Sequence, residues 1–393
     1  MEPRRIAVLH FSNATARGGA QEHILSLLRS LDRGRFQAHF ACDPAIAADM
    51  KRELPGDVPV IPVRLRTPGD VSGAFALGRE LRGRRIGILH SHEFSSSRLA
   101  SPIGRLCGVP AVIETPHLRE HWRRGPIKGS FAIDRLVGRF VDYYIAVSEA
   151  NARYLVDEKR LPAKKVVTIQ NGCELSKFQA PEGARGAARA EIGLSEEHLL
   201  LLVVARLEEQ KGHRVLLDAM PRIVAAFPRA RLVCAGDGAC RAGLEAQTAA
   251  LGLHGCVTFL GFRADVARWL AAADVVVLPS LFEGLPLSAV EALAAGRAMV
   301  ATAVDGTPEV VLHGRTGLVV PPGDATALAA AVCTLLADAG LRAHLGAAGR
   351  RWVAERFARS RQVRETESLY ERAAAHIAAR PAPIPERAYV SRA

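Results

Sequence analysis

The sequence predicts an α/β protein of two doubly wound, parallel-sheet domains facing one another across a cleft. Three observations lead there. A chain of 393 residues suits two domains of ordinary size, each able to bury its own core. Short apolar runs rich in β-formers alternate with helical stretches from the amino terminus onward. The alternation stops at Gln-Ala-Pro-Glu-Gly-Ala-Arg-Gly (179 to 186), which has the composition of a linker, and then restarts.

The first strand is Ile-Ala-Val-Leu-His-Phe (6 to 11), followed by a glycine loop and a helix over 20 to 31. Further strands are expected at 36 to 41, 86 to 90, 111 to 115, 143 to 147 and 165 to 169. Such apolar runs suit strands covered by helices on both faces. The second half begins at the apolar run 199 to 205 and continues with strands at 231 to 235, 256 to 260, 274 to 278 and 298 to 301, then a short one after Gly317. Asp324 is placed to cap a helix over 325 to 337. Residues 1–178 and 179–352 therefore form two Rossmann-like units, with a helical stretch over 353–379. The tail 380–393 contains Arg-Pro-Ala-Pro-Ile-Pro-Glu, too rich in proline to continue a helix, and is expected to be disordered.

Composition narrows the function. No apolar run reaches the roughly 20 residues that cross a bilayer, and the amino terminus lacks a signal-peptide pattern, so a cytoplasmic location is expected. The seven cysteines are odd in number and scattered, without a Cys-x2-Cys pair, which suggests reduced structural thiols. A net charge of +12 favours an anionic partner, namely nucleic acid, an acidic membrane or a phosphorylated substrate. Nucleic acid is the weakest of these, because no zinc finger, RNA-binding aromatic motif or helix-turn-helix accompanies the charge.

The chemistry concentrates where Glu283 and Glu291 bracket Glu-Gly-Leu-Pro-Leu-Ser-Ala-Val-Glu, directly after the strand-like Ala-Asp-Val-Val-Val-Leu-Pro-Ser (273 to 280). A helix that starts at the carboxyl end of a parallel strand is a phosphate site. Gly284 permits close approach, Leu285 continues the turn, Pro286 suits the first helical position, and the amides of Leu287 and Ser288 are free donors. The two carboxylates would repel a diphosphate, so Glu283 is expected to face sugar hydroxyls and Glu291 a ribose diol. Arg206 and Lys211, just beyond another strand, can neutralise charge growing on a leaving diphosphate. Gly18 and Gly19 follow the first strand, where backbone amides can complete the cradle. No Asp-x-Asp, complete Gly-x-Gly-x2-Gly or Gly-x4-Gly-Lys-Ser/Thr is present, so no metal, dinucleotide or ATP site is indicated, and no cofactor is expected; the missing motif does not exclude a loosely held Mg²⁺.

This Glu-x7-Glu element before Ala-Leu-Ala-Ala-Gly (292 to 296) resembles the family-4 retaining glycosyltransferases of the GT-B fold. Further matches run in family order: Gly18-Gly19, Val-Ser-Glu (147 to 149), Asn171-Gly172, Ala-Arg-Leu-x3-Lys-Gly (205 to 212), Ala-Gly-Asp-Gly (235 to 238), Leu-Gly-Phe (260 to 262) and Gly306-Thr307-Pro308-Glu309. The resemblance implies transfer of a sugar from a nucleotide-diphosphate sugar to an acceptor hydroxyl with retention, in assembly of polysaccharide, lipopolysaccharide or glycolipid. It also implies that the terminal helix crosses back onto the first domain, that Phe262 belongs to the donor site, and that His117 lies near the donor sugar. His90 and His92 are candidates for the acceptor side. Two other readings remain open, an epimerase or hydrolase on the same fold and a non-catalytic nucleotide-sugar-binding subunit.

The partners expected are a nucleotide sugar and a glycan or lipid-linked acceptor. The stretch His117 to Lys128, with Arg119, Trp122, Arg123, Arg124 and Lys128, is either an ordinary solvated loop or a contact with an anionic membrane surface or lipid diphosphate. The latter would place the protein peripherally on the inner face of the cell membrane.

Overall fold

The computed structural model describes residues 5–16, 18–120, 123 and 131–378. The tail over 380–393 lies outside the described residues, as do Trp122, Arg124 and Lys128.

The first sheet has seven strands: β1 (Ile6–Ser12), β2 (Phe36–Cys42), β3 (Val60–Pro62), β4 (Ile88–His92), β5 (Ala111–Thr115), β6 (Tyr143–Ala146) and β7 (Val166–Thr168). They lie in the order β3-β2-β1-β4-β5-β6-β7, all parallel. The second sheet has six parallel strands: β8 (Leu199–Val204), β9 (Ala230–Ala235), β10 (Val257–Gly261), β11 (Val275–Leu278), β12 (Met299–Thr302) and β13 (Leu318–Val320). Their order is β10-β9-β8-β11-β12-β13. Each sheet therefore reverses direction once, between β1 and β4 and between β8 and β11, and ligands bind at such switch points beyond the strand ends. This is the GT-B architecture of two α/β halves.

Two strands depart from expectation. β3 was not predicted, because three residues ending in a proline carry no alternation to read. β4 runs two residues further than the expected 86 to 90, through His90, Ser91 and His92, all fully buried. An apolar-run criterion ends too early when polar side chains occupy the interior.

The helix after β1 is Gly19–Ser30, starting one residue ahead of the expected position. Asp324 caps Ala325–Ala337 by accepting from the Ala327 amide at 2.8 Å. The long helix Ala339–Arg356 runs through the expected boundary at 352/353, and the crossover helix is Arg359–Ala378. That last helix sends Val363, Leu369, Tyr370 and Ala373 into the core of the first half, beside Phe36 and Ile88. Glu367 holds it there, accepting from the Asp32 amide at 2.7 Å and pairing with Arg35. Leu175 and Phe178 already pack on the second core, so the hydrophobic crossover precedes the expected 178/179 boundary.

Candidate active site

The loop between β11 and the helix Leu287–Ala294 is the centre of the site. Pro286 caps that helix rather than occupying its first position: its carbonyl accepts from the Ala289 and Val290 amides at 3.2 and 3.4 Å. The amides of Leu287 and Ser288 have no acceptor among the described residues, as the first turn of a helix dictates. Buried Leu285 anchors the turn in the second core.

Glu283 is buried, and its Oε1 receives both Lys211 Nζ at 2.5 Å and the Ser280 hydroxyl at 2.7 Å. Its Oε2 has no partner among the described residues. Lys211, expected to serve the diphosphate alone, is thus also the counter-ion of Glu283. Arg206 is half-exposed, pairs with Glu208, and its guanidinium carbon lies 4.0 Å from where a Cβ on Gly18 would stand. Gly18 is extended, with φ −165°, so conformation does not require glycine there, and a Cβ would meet Arg206 of the opposite domain only at ordinary contact distance. A side chain on Gly19 would meet nothing within 4 Å.

Glu291 keeps some surface as a residue, but its carboxyl sits in a crowded part of the cleft. Burial first, and the Glu22 carboxylate of the first domain second, push its pKa up to about 7. Phe262, just past β10, is 82% exposed.

The two halves meet backbone to backbone at Gly284. A Cβ there would stand 1.8 Å from the His117 carbonyl oxygen, and one on Gly306 would stand 2.3 Å from the Gly284 carbonyl oxygen. The Ser148 hydroxyl donates to the Gly284 carbonyl at 3.1 Å. Glu309 accepts from the Glu149 and Ala150 amides at 3.0 and 2.8 Å and from Gln170 Nε2 at 2.8 Å. The motifs around 147 to 149 and 306 to 309 are therefore two sides of one interdomain contact.

His117 is 8% exposed and belongs to a cluster with His10, His23, His90 and His92. His90 and His92 are fully enclosed, so they cannot touch an acceptor as expected. His10 and His23 were missed; the register pairing His10 with His90 would have been the signal, but it exists only once the sheet is assembled. Ring nitrogens of His10, His90 and His92, and of His23, His92 and His117, fall within 4.8 Å of one another, close enough for a metal.

Of the basic stretch, Arg119 and Arg123 lie among the described residues. Arg119 pairs with Glu158 and stacks over Tyr154, while Arg123 is largely buried, bridging Glu120 and Asp134 and lying 4.7 Å from the Phe131 ring centre. Arg123 is therefore engaged within the protein, whereas Arg119 remains partly exposed.

Residues 17–177 match Glycosyltransferase Family 4, and 198–338 match Glycosyl transferases group 1. An uncharacterized glycosyltransferase of Methanocaldococcus jannaschii is 30% identical over 293 residues, covering 72% of this chain and 75% of that one. A D-inositol 3-phosphate glycosyltransferase of Nocardioides is 32% identical over 315 residues, covering 74% and 68%. Among solved structures, HepE of Anabaena in complex with UDP superposes with a TM-score of 0.83 at 20% identity, covering 93% of this chain and 100% of that one. The chain belongs to the family-4, group 1 glycosyltransferases of GT-B fold.

Proposed function

We propose that the chain transfers a sugar from a nucleotide-diphosphate sugar to an acceptor hydroxyl with retention of configuration, in assembly of a cell-surface polysaccharide, lipopolysaccharide or glycolipid. The observation that carries this reading is the convergence of Lys211, Glu283 and the free amides of Leu287 and Ser288 at one helix start, with Arg206 and Gly18 meeting across the cleft. The UDP complex of HepE and the Nocardioides relative's name, D-inositol 3-phosphate glycosyltransferase, support it.

In this mechanism the second domain holds the donor and the first holds the acceptor. Glu291 accepts from the ribose diol, Phe262 offers its exposed ring to the base, and the free amides hold the diphosphate. Glu283 Oε2 accepts from a sugar hydroxyl, while its other oxygen steadies Lys211. As the glycosidic bond breaks, the leaving diphosphate gains negative charge, which Arg206 and Lys211 stabilise without a metal. The acceptor hydroxyl forms the new bond on the face the diphosphate leaves, and its proton passes to a diphosphate oxygen. No protein carboxylate is needed as base. His117 holds the donor sugar, and closure at Gly284 excludes water.

Exposed Ile133 and Leu136, just past the basic stretch, support the membrane-surface reading of the acceptor side. The test is turnover of UDP-glucose and other nucleotide sugars, with and without anionic vesicles carrying lipid-linked glycans, at low and high salt. Acceptor-dependent product that falls with salt supports transfer at a surface. Donor turnover indifferent to every acceptor identifies a hydrolase or epimerase instead.

A further inference from the structure

Five polar contacts form one line that starts at Thr115, passes through Tyr370 of the crossover helix and ends at the cleft. Thr115 Oγ1 lies 2.7 Å from His90 Nε2, and His90 Nδ1 lies 2.6 Å from the Tyr370 hydroxyl. That hydroxyl is 3.2 Å from His10 Nε2, His10 Nδ1 is 3.0 Å from His92 Nε2, and His92 Nδ1 is 3.2 Å from His117 Nε2. The line ends at His117 Nδ1, which has no partner among the described residues. Thr115, His90, Tyr370, His10 and His92 are all fully buried, whereas His117 keeps 8% exposure.

We infer that this chain fixes the tautomer of His117 as Nδ1–H, so that His117 presents a hydrogen-bond donor at the cleft. A neutral imidazole owns one proton, and can therefore donate at one nitrogen and accept at the other. Burial, reinforced by neighbouring imidazoles, lowers the pKa values of His10, His90, His92 and His117, and burial keeps the Tyr370 phenol protonated. Each contact then takes one proton, and all must point the same way. A reversal within the line would leave two lone pairs, or two protons, facing one another in a buried site.

Two orders remain, and Thr115 decides between them. Among the described residues its hydroxyl proton has one acceptor, His90 Nε2. If Thr115 donates there, His90 donates to Tyr370, Tyr370 to His10, His10 to His92, and His92 to His117 Nε2. The proton of His117 is then on Nδ1. In the opposite order the Thr115 proton is buried without an acceptor, a costly fault. The same bonds occupy every ring nitrogen of the His10, His90 and His92 triad, and both nitrogens of His92 in the triad it shares with His23 and His117. Tyr370, His10 and His92 are thus positioning residues that act on the cleft through His117.

The link to catalysis rests on the proposed donor-sugar role of His117; the tautomer does not. Long-range proton–nitrogen correlation spectra of the full chain labelled with ¹⁵N-histidine read the tautomers directly. Nδ1–H is expected for His10, His90, His92 and His117. Tyr370→Phe removes the central hydroxyl while keeping the ring, and Thr115→Val removes the proton that sets the order while keeping the shape. Either should shift part of the His117 signal to Nε2–H, with unchanged thermal unfolding confirming the fold. Nε2–H in the unaltered protein, a tautomer unmoved in both variants, or a stoichiometric transition metal bound to the cluster would overturn the inference. Turnover tests the donor-sugar role separately: Tyr370→Phe should lower kcat about tenfold while leaving UDP affinity unchanged. A moved tautomer with unchanged kcat supports the chain and removes the role of His117 at the sugar.

Discussion

The sequence assigns Lys211 and Arg206 one task at the diphosphate, and their surroundings separate them. Lys211 is the partner of buried Glu283, so Lys211→Ala should lower turnover about a hundredfold, the ~3 kcal/mol typical of a lost transition-state donor, and should also destabilise the fold by leaving a carboxylate unpaired. Arg206 is half-exposed, so Arg206→Ala should lower turnover similarly with little change in Tm. Kinetics and thermal unfolding of the pair distinguish these outcomes; an unaltered kcat with only a higher KM would mean uniform binding. Glu291 carries the pH dependence. Its pKa, raised to about 7, means that the folded state holds a proton the unfolded state releases above the ordinary carboxyl value. Its stabilising contribution is therefore full below that ordinary value and is lost as pH rises through about 7. In the proposed ribose contact the ionised carboxylate is the stronger acceptor, so nucleotide affinity should rise over the same window. Glu22→Gln should move the midpoint to lower pH in calorimetric titrations, and an unmoved midpoint would leave burial as the sole cause. The glutamates and cations were legible because they stand at fixed spacings beside strand ends. The Lys211–Glu283 pairing was not, since 72 residues separate its partners.

At the scale of elements, Gly284 shows how a short turn serves two domains. The sequence indicated close backbone approach there, but its neighbour is His117 of the other half rather than a ligand alone. Gly284→Ala would force the two backbones apart by more than 1 Å, and misplacement of that size can cost about a hundredfold in turnover. A folded variant with wild-type kcat would show that the cleft tolerates the wider spacing. Strands with apolar runs were readable within two residues or so. The end of β4 escapes an apolar-run criterion because His90 and His92 find hydrogen-bond partners in the interior, Thr115 and Tyr370 for the one and His10 and His117 for the other, which no propensity records. Arg123 of the basic stretch departs from the sequence pattern for the opposite reason: Asp134, only 11 positions on, draws it inward.

For the whole molecule, two parallel sheets followed from alternation and a linker, whereas the contacts joining them did not. Glu309 binding the first amides of Glu149–Arg153, and Ser148 reaching Gly284, tie two family motifs into one interdomain contact. The crossover helix adds the covalent return, and its Tyr370 connects to the cleft through His10, His92 and His117. The central claim is that one helix start binds a nucleotide sugar in parts, ribose at Glu291 and sugar at Glu283. Calorimetric titration of UDP and of UDP-glucose into the wild type, Glu291→Ala and Glu283→Ala tests it most directly. Glu291→Ala should weaken both ligands, whereas Glu283→Ala should leave UDP binding nearly intact and weaken only the sugar nucleotide; equal loss of free UDP in the two variants would contradict the assignment.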